Sequence, residues 1–411
     1  MKGVGQGLIG LARRNPHVQR LGARVRRMEL WLREVTLRPY YRRRLKAPVD
    51  GSLAVFNAYW YRGYGCNPAA VYRAARRLVP GLRGVWVVTP GGVASLPEDV
   101  EHVVAGSRAY YDVIARAKVF VGNVNFPDEV VKREGTVHVM THHGTPLKLM
   151  ATDLRGRAIP EAQIDFEGLA RRCARWDYSV SSNAHSTQVW GRVYPGAYET
   201  LEVGYPRNDL LANATRDTSR QARSGLGIDS HERVVLYAPT FRDDESGYVE
   251  RLDLVELAGR LGEGWTWLSR LHHIYAKDPF RGRPTGPPRV IDVSGHPSIE
   301  TLCLAADVLI TDYSSVLFDY AVLDRPIVIH APDWERYRAE RGTYFDLLAE
   351  PPGVVTRTLP EVETALRMGL VDDDAARSLR AAFRSRFCAF DQGDAAERVV
   401  RRAWSLDASQ P

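Results

Sequence analysis

"DVLITDYSSVLFDYAVL", Asp307 to Leu323, changes its hydrophobic period half-way, and that change decides the fold. Val308, Leu309 and Ile310 form a short continuous aliphatic run, which reads as a strand buried on both faces. From Ser315 onward the apolar residues recur at Val316, Leu317, Tyr320 and Leu323, the spacing of a helix face. A strand running straight into a helix is half of a βαβ unit, and the chain repeats it on both sides. Upstream, "LAVFNAY", "GVWVVTP", "VFVGNVNFP", "TVHVMTHHG", "WDYSVSSN" and "ETLEVGYPRND" read as strands, with "AAVYRAARRLV" and "YYDVIARA" as helices among them. Downstream, "RVVLYAPTFRDD", "WTWLSRLHH", "RVIDVSG", "RPIVIH" and "GVVTRT" continue the alternation. This rhythm predicts an α/β protein with two parallel, doubly wound sheets, in two Rossmann-like domains that face a cleft. The expected boundaries are 1–48 for an N-terminal basic segment, 49–222 and 223–371 for the two domains, and 372–411 for a helical tail crossing back. A linker is expected near residues 215–230.

Composition narrows the class. Of 411 residues, 45% are hydrophobic, enough for two full cores. The four cysteines are far apart and form no CxxC pair, which disfavours a zinc site or a disulfide framework and suits a reducing cytoplasm. No apolar run is long enough to span a bilayer. Formal net charge is +7, but it is uneven. Residues 1–46 hold 13 Lys/Arg against 2 Asp/Glu, so the rest of the chain is mildly acidic. After Asn15-Pro16, a capping signal, Val18, Leu21, Val25, Met28, Leu32 and Val35 make one apolar stripe on an Arg-rich helix. A basic amphipathic helix of this kind suits an anionic membrane surface. The alternatives are a stripe packed on the next domain and, least favoured, nucleic-acid binding.

Ligands of open α/β sheets bind beyond the carboxyl ends of the strands, and four motifs fall there. They are His142-His143-Gly144-Thr145-Pro146, "GYPRND" with Arg207, "SRLHH" with Arg270, His272 and His273, and Ser314-Ser315 where the "VLFD" helix opens. A helix opening with two hydroxyls offers donors to a phosphate; the plainer reading is a helix cap. Arg207, Arg242 and Arg270 read together as a pyrophosphate cradle. Neither a dinucleotide fingerprint nor a P-loop is present. The paired histidines are disfavoured as metal ligands, because neighbours on a strand point to opposite faces.

"NPAAVYRAARRL", "AKVFVGNVNFP", "HHGTPLK", "GYPRNDLL", "VVLYAPTFRD", "RLHH", "DVLITDYSSVLFDYAVLDRPIV" and "DWERYRAERGTYFD" together resemble the CDP-glycerol glycerophosphotransferases of teichoic acid synthesis. The resemblance runs from about residue 53 to 400. It implies a GT-B-like fold and transfer of glycerol phosphate from CDP-glycerol to a hydroxyl of a lipid-linked polyglycerophosphate or glycan acceptor, with CMP released. By motif it implies His143 and His272 as catalytic residues. His142, Gly144, Thr145, Pro146, Arg207, Pro239, Thr240, Arg270, Ser314, Ser315 and Asp319 would line the CDP-glycerol site. Family members usually carry Trp where this chain has His142, and Tyr where it has His273. No cofactor is obligatory in this reading, which leaves room for a divalent cation. The partners implied are CDP-glycerol, an undecaprenyl-diphosphate-linked acceptor and the cytoplasmic face of an anionic membrane, with no nucleic acid. A CDP-ribitol enzyme and a GT-B nucleotide-sugar glycosyltransferase are the alternatives.

Overall fold

The computed structural model describes residues 33–157, 163–242, 249–271 and 289–406. Most of the amphipathic stripe, and His272 and His273, lie outside the described residues. The first sheet has seven strands: β1 (Asp50–Asn57), β2 (Arg83–Val88), β3 (His102–Val104), β4 (Ala117–Gly122), β5 (Val137–Met140), β6 (Tyr178–Ser181) and β7 (Glu199–Glu202). They pair in parallel in the order β3-β2-β1-β4-β5-β6-β7. The second has six: β8 (Arg233–Ala238), β9 (Trp265–Ser269), β10 (Arg289–Asp292), β11 (Val308–Thr311), β12 (Ile327–His330) and β13 (Val354–Thr356). Their order is β10-β9-β8-β11-β12-β13, also parallel. In both sheets the first strand lies beside the fourth, and the winding reverses between them. Such a reversal leaves a crevice at the carboxyl ends, between β1 and β4 in one half and between β8 and β11 in the other.

Both faces of each sheet are covered, which is why the central strands lack alternation. β11 is buried at all four positions and β8 at its last five. Phe56 and Trp86 stack on one face of the first sheet, while Val55, Val85, Val87 and Phe120 join a second cluster on the other. The polar stretch read as a linker is instead a helix, Arg216–Gly225, closed by a capping box between Thr215 and Thr218. Ala222 is its one buried residue, so no apolar stripe announced it.

The C-terminal helices touch both halves. Phe383 and Phe387, on the Asp374–Phe387 helix, pack on Phe318 of the second half. The Phe387 carbonyl accepts from Asn183 Nδ2 of the first half at 2.9 Å. The Ala395–Ala403 helix lies on the Cys66–Leu78 helix, and the Asp209 carboxylate accepts its Ala395 and Ala396 amides at 2.9 and 2.8 Å.

Candidate active site

β5 ends at Met140 and the chain turns sharply at His142, which takes φ +50°. Asn67, fully buried near the start of the Cys66–Leu78 helix, donates to the carbonyls of both Thr141 and His142 at 2.9 Å. Its Oδ1 accepts the Arg207 amide at 3.1 Å. One asparagine thus ties the His-Gly-Thr turn to the Gly-Tyr-Pro-Arg turn. It was not singled out in the sequence, although it stands in a quoted motif.

The two adjacent histidines have different surroundings. His142 is buried, stacked on Trp190 with ring centroids 4.5 Å apart, and bonded through Nε2 to Ser179 Oγ at 2.9 Å. Burial, with His143 beside it, pushes its pKa well down, so the ring is neutral. His143 is half-buried, and its Nδ1 lies 2.9 Å from the Asn123 carbonyl. A carbonyl only accepts, so Nδ1 carries the proton and the neutral ring keeps its lone pair on Nε2. Burial lowers the His143 pKa first, the Asn123 bond resists, and Arg207 adds to the lowering.

Gly144 is where the halves meet. A Cβ there would stand 2.8 Å from Ser315 Oγ and 3.0 Å from its Cβ, so a side chain would force the two motifs apart. Thr145 is turned inward: its hydroxyl bonds Ser182 Oγ at 3.0 Å and accepts from Asn183 at 3.1 Å. The Pro146 carbonyl accepts from His185 Nε2 at 2.8 Å. Beyond it the strand end runs onto the second half, where Tyr344 donates its amide to the Leu147 carbonyl at 2.8 Å and Leu149 donates to Gly342 at 3.1 Å.

The three arginines do not form one cradle. Arg207 is buried and its Nη2 lies 2.6 Å from Asp319 Oδ2, an ion pair that joins the halves. Its Nη1 donates to Cys66 Sγ at 3.3 Å, and Glu300 lies 3.9 Å from Nε. Burial opposes the Arg207 charge, but Asp319 first and then Cys66, Tyr59 and Glu300 outweigh it and raise the pKa. Arg242 is also buried, pairs with Asp312 and Asp333 at 2.9 Å each, and sits over the rings of Tyr313 and Tyr337. Arg270 is half-buried and donates to the His296 carbonyl at 2.8 Å. The sequence gives charge and strand position but not which carboxylate folds against which arginine.

At the second switch point, Pro239 and Thr240 follow β8, and the Thr240 amide donates to Asp312 at 2.8 Å. The Thr240 hydroxyl is buried with no partner among the described residues. Ser314 and Ser315 are half-buried. Ser315 makes no capping bond through its side chain, and Ser314 Oγ receives only a 3.5 Å contact from Val316. The plain capping reading therefore leaves both hydroxyls largely unused.

A cavity of about 730 Å³ opens on this ground. His143, Gly144 and Ser315 line it together with the charged Asp128, Lys148, Arg172 and Arg341, and Phe126, Met140, Leu154, Trp176 and Tyr194 are on its apolar side. A proton acceptor, a close backbone approach and a hydroxyl from the other half converge there, an arrangement suited to transfer of a group between two ligands.

Residues 39–405 match the family described as CDP-glycerol:poly(glycerophosphate) glycerophosphotransferase. The chain is 32% identical to a teichoic acid poly(glycerol phosphate) polymerase of Bacillus subtilis (strain 168), over 88% of its own length and 50% of that protein's. It thus spans about half of that relative. It is 31% identical to the teichoic acid glycerol-phosphate transferase of Staphylococcus aureus (strain NCTC 8325 / PS 47), covering 85% of this chain and 92% of that one. A solved structure of the wall teichoic acid polymerase TagF, soaked with CDPG, superposes with a TM-score of 0.80 at 28% identity, over 94% of this chain and 98% of that one.

Proposed function

The chain belongs to the CDP-glycerol:poly(glycerophosphate) glycerophosphotransferase family, and on that premise we propose that it transfers glycerol phosphate from CDP-glycerol to a hydroxyl of a lipid-linked polyglycerophosphate or glycan acceptor. The observation that carries this reading is His143, whose unprotonated Nε2 stands in a cavity that it shares with Ser315 of the other half.

In the proposed step the acceptor oxygen attacks the β-phosphorus of CDP-glycerol. A new P–O bond forms, the bond to CMP breaks, and the hydroxyl proton passes to His143 Nε2. Gly144 lets the phosphorus approach the backbone. Ser314, Ser315 and the unpartnered Thr240 hydroxyl donate to phosphate oxygens, and Arg270, with His272, meets the charge growing on CMP. The leaving group is itself a phosphate, so the step makes no demand for a strong acid. We assign no obligatory cofactor, and a divalent cation is compatible with the pyrophosphate. His142, Thr145 and Pro146 shape the turn. Arg207 and Asp319 hold the halves together around the donor.

The test is incubation with CDP-glycerol, CDP-ribitol and a nucleotide sugar, with mass spectrometry of the extended acceptor. Release of CMP with addition of glycerol phosphate is expected. Turnover of CDP-ribitol alone would redirect the donor assignment, and turnover of the nucleotide sugar alone would overturn it. In the same assay, replacing Ser314 and Ser315 with Ala should raise the donor KM by about tenfold for each hydroxyl, the worth of a hydrogen bond to a charged group. An unchanged donor KM would return both serines to local structure.

Among the described residues no helix is long and apolar enough to cross a membrane. We propose that residues 1–46 hold the protein peripherally at the cytoplasmic face, through the apolar stripe and the excess of arginine. Deleting residues 1–32, which leaves Tyr41 packed on Tyr111 in the first domain's core, should abolish sedimentation with anionic vesicles, and high salt should weaken binding of the full chain. Equal low-salt binding by the deletion variant would exclude the arm as the anchor.

A further inference from the structure

Directly after β1 the chain does something rare. Tyr59, Trp60 and Tyr61 take φ of +50°, +56° and +67°, three successive non-glycine residues in the left-handed region. Each conformation is costly for a side chain with a Cβ, and such strain persists only where the surroundings enforce it, most often at functional sites. Here the surroundings are visible. The Tyr59 amide donates to Asn123 Oδ1 at 2.9 Å, and the Tyr61 carbonyl accepts from Thr89 at 2.6 Å. The Arg62 amide closes the turn onto the Ala58 carbonyl at 3.2 Å.

The turn sends three aromatic rings in three directions. Tyr61 goes inward, where its hydroxyl meets that of Tyr110 at 3.3 Å and its ring lies 6.4 Å from Phe126. Tyr59 stands edge-on to His143, with ring centroids 6.0 Å apart. Asn123, which grips the Tyr59 amide through its side chain, is the residue whose carbonyl fixes the His143 tautomer. Trp60 goes outward: it is 59% exposed and stands at the rim of the cavity that holds His143 and Gly144. A tryptophan exposed to this degree gains nothing for the core. Its ring is met by the Arg62 guanidinium, 5.9 Å from the centroid, rather than by the core.

The wall facing the rim narrows the occupant. It is mostly apolar and aromatic; of its cations, Arg172 is paired with Asp128 at 3.1 Å, Lys148 lies over the Tyr337 ring at 5.8 Å, and Arg341 completes the set. A ligand without an apolar face leaves most of this wall uncovered. A sugar-like ring fits better, since it presents an apolar face to an indole and hydroxyl edges to polar groups such as Asp128.

Building on the glycerophosphotransferase reading, we propose that the left-handed Tyr59–Tyr61 turn is an acceptor-binding element. In it, Trp60 is the platform for a sugar-like ring that carries the attacking hydroxyl to His143, and Tyr59 with Asn123 positions His143.

The test uses two soluble acceptors with the same alkyl chain, one an alkyl glycoside and the other an alkyl glycerol phosphate, with CDP-glycerol as donor. Trp60→Ala should raise the KM for the alkyl glycoside by about three- to tenfold, as expected for a lost aromatic stack. Its kcat should stay within about threefold of wild type, a small barrier change. CDP-glycerol affinity by calorimetry and the KM for the alkyl glycerol phosphate should be unchanged. Trp60→Phe should recover most of the loss, and both variants should melt like wild type, since the side chain is exposed. An unmoved glycoside KM, an equal rise with both acceptors, or a fall in kcat alone would each overturn the proposal. Wild-type protein that releases no CMP with either acceptor would instead count against the transferase reading, and the platform would fall with it.

Discussion

His143→Ala should lower kcat by about 10²–10⁴, the range for loss of a positioned general base, while CDP-glycerol binding stays near normal. The expectation rests on orientation as much as on identity. With Nδ1 committed to the Asn123 carbonyl, the neutral ring has one place left for a proton, Nε2. The pH dependence has a definite sign. Burial is the largest influence on His143 and lowers its pKa, and Arg207 adds to the effect. The imidazole therefore stays neutral and able to accept a proton to below the ordinary histidine range. Wild-type kcat should be flat through neutral pH and fall only as pH drops through that lowered pKa. The His143→Ala variant should lose this acidic limb along with its rate. Steady-state kinetics across pH, with donor affinity measured separately by calorimetry, distinguishes the roles. A variant with near-normal kcat, or one that fails only in donor binding, would make His143 a phosphate ligand. His142→Ala should behave differently, because that ring is stacked on Trp190 and bonded to Ser179: its loss belongs to the shape of the turn.

The contrast between these neighbours shows what the sequence could and could not tell. The change of period at Ser315 was enough to announce parallel strands and two windings, because a buried strand and an amphipathic helix leave different hydrophobic patterns. The strand-end rule then pointed to His143, Gly144 and Ser315, which the fold does bring to one cavity. Three things were not legible. The Arg216–Gly225 helix has no apolar face to announce it. The left-handed aromatic turn at Tyr59 contradicts local preference, so nothing in "NAYWYRG" signals it. The pairing of Arg207 with Asp319, and of Arg242 with Asp312 and Asp333, depends on residues far apart in the chain. Charge alone suggested one cradle for phosphate, whereas long-range contacts pair Arg207 and Arg242 with carboxylates of the protein itself.

Asp319→Ala should destabilise the protein by about 3–5 kcal/mol, because it leaves Arg207 charged, buried and without its nearest counter-charge. Arg207 and Asp319 are both almost fully buried and lie 2.6 Å apart, on opposite halves of the molecule. Burial is the main influence on Asp319 and raises its pKa, with Arg207 pulling it back, while Arg207 itself is held charged. The pair therefore survives desolvation only together. Glu300, 3.9 Å from Arg207 Nε, offers partial compensation and places the expected loss toward the lower end of that range. Replacing both partners with apolar residues of similar size, Arg207→Met with Asp319→Leu, removes the charges of the pair as well as their bond, and leaves the buried Glu300 carboxylate to its bond from Ser298. It should recover much of the stability, since a buried ion pair is worth little against well-packed apolar side chains. Denaturant unfolding of the two single variants and the double variant measures this directly. Activity should not follow stability: the double variant, though stable, should remain impaired, because the pair also holds the Arg207 turn and the Ser315 helix in register across the cleft. Stability losses that simply add in the double variant would mean that the two residues act independently. A stable double variant with full activity would mean that the ion pair holds the halves together without setting the geometry between His143 and Ser315.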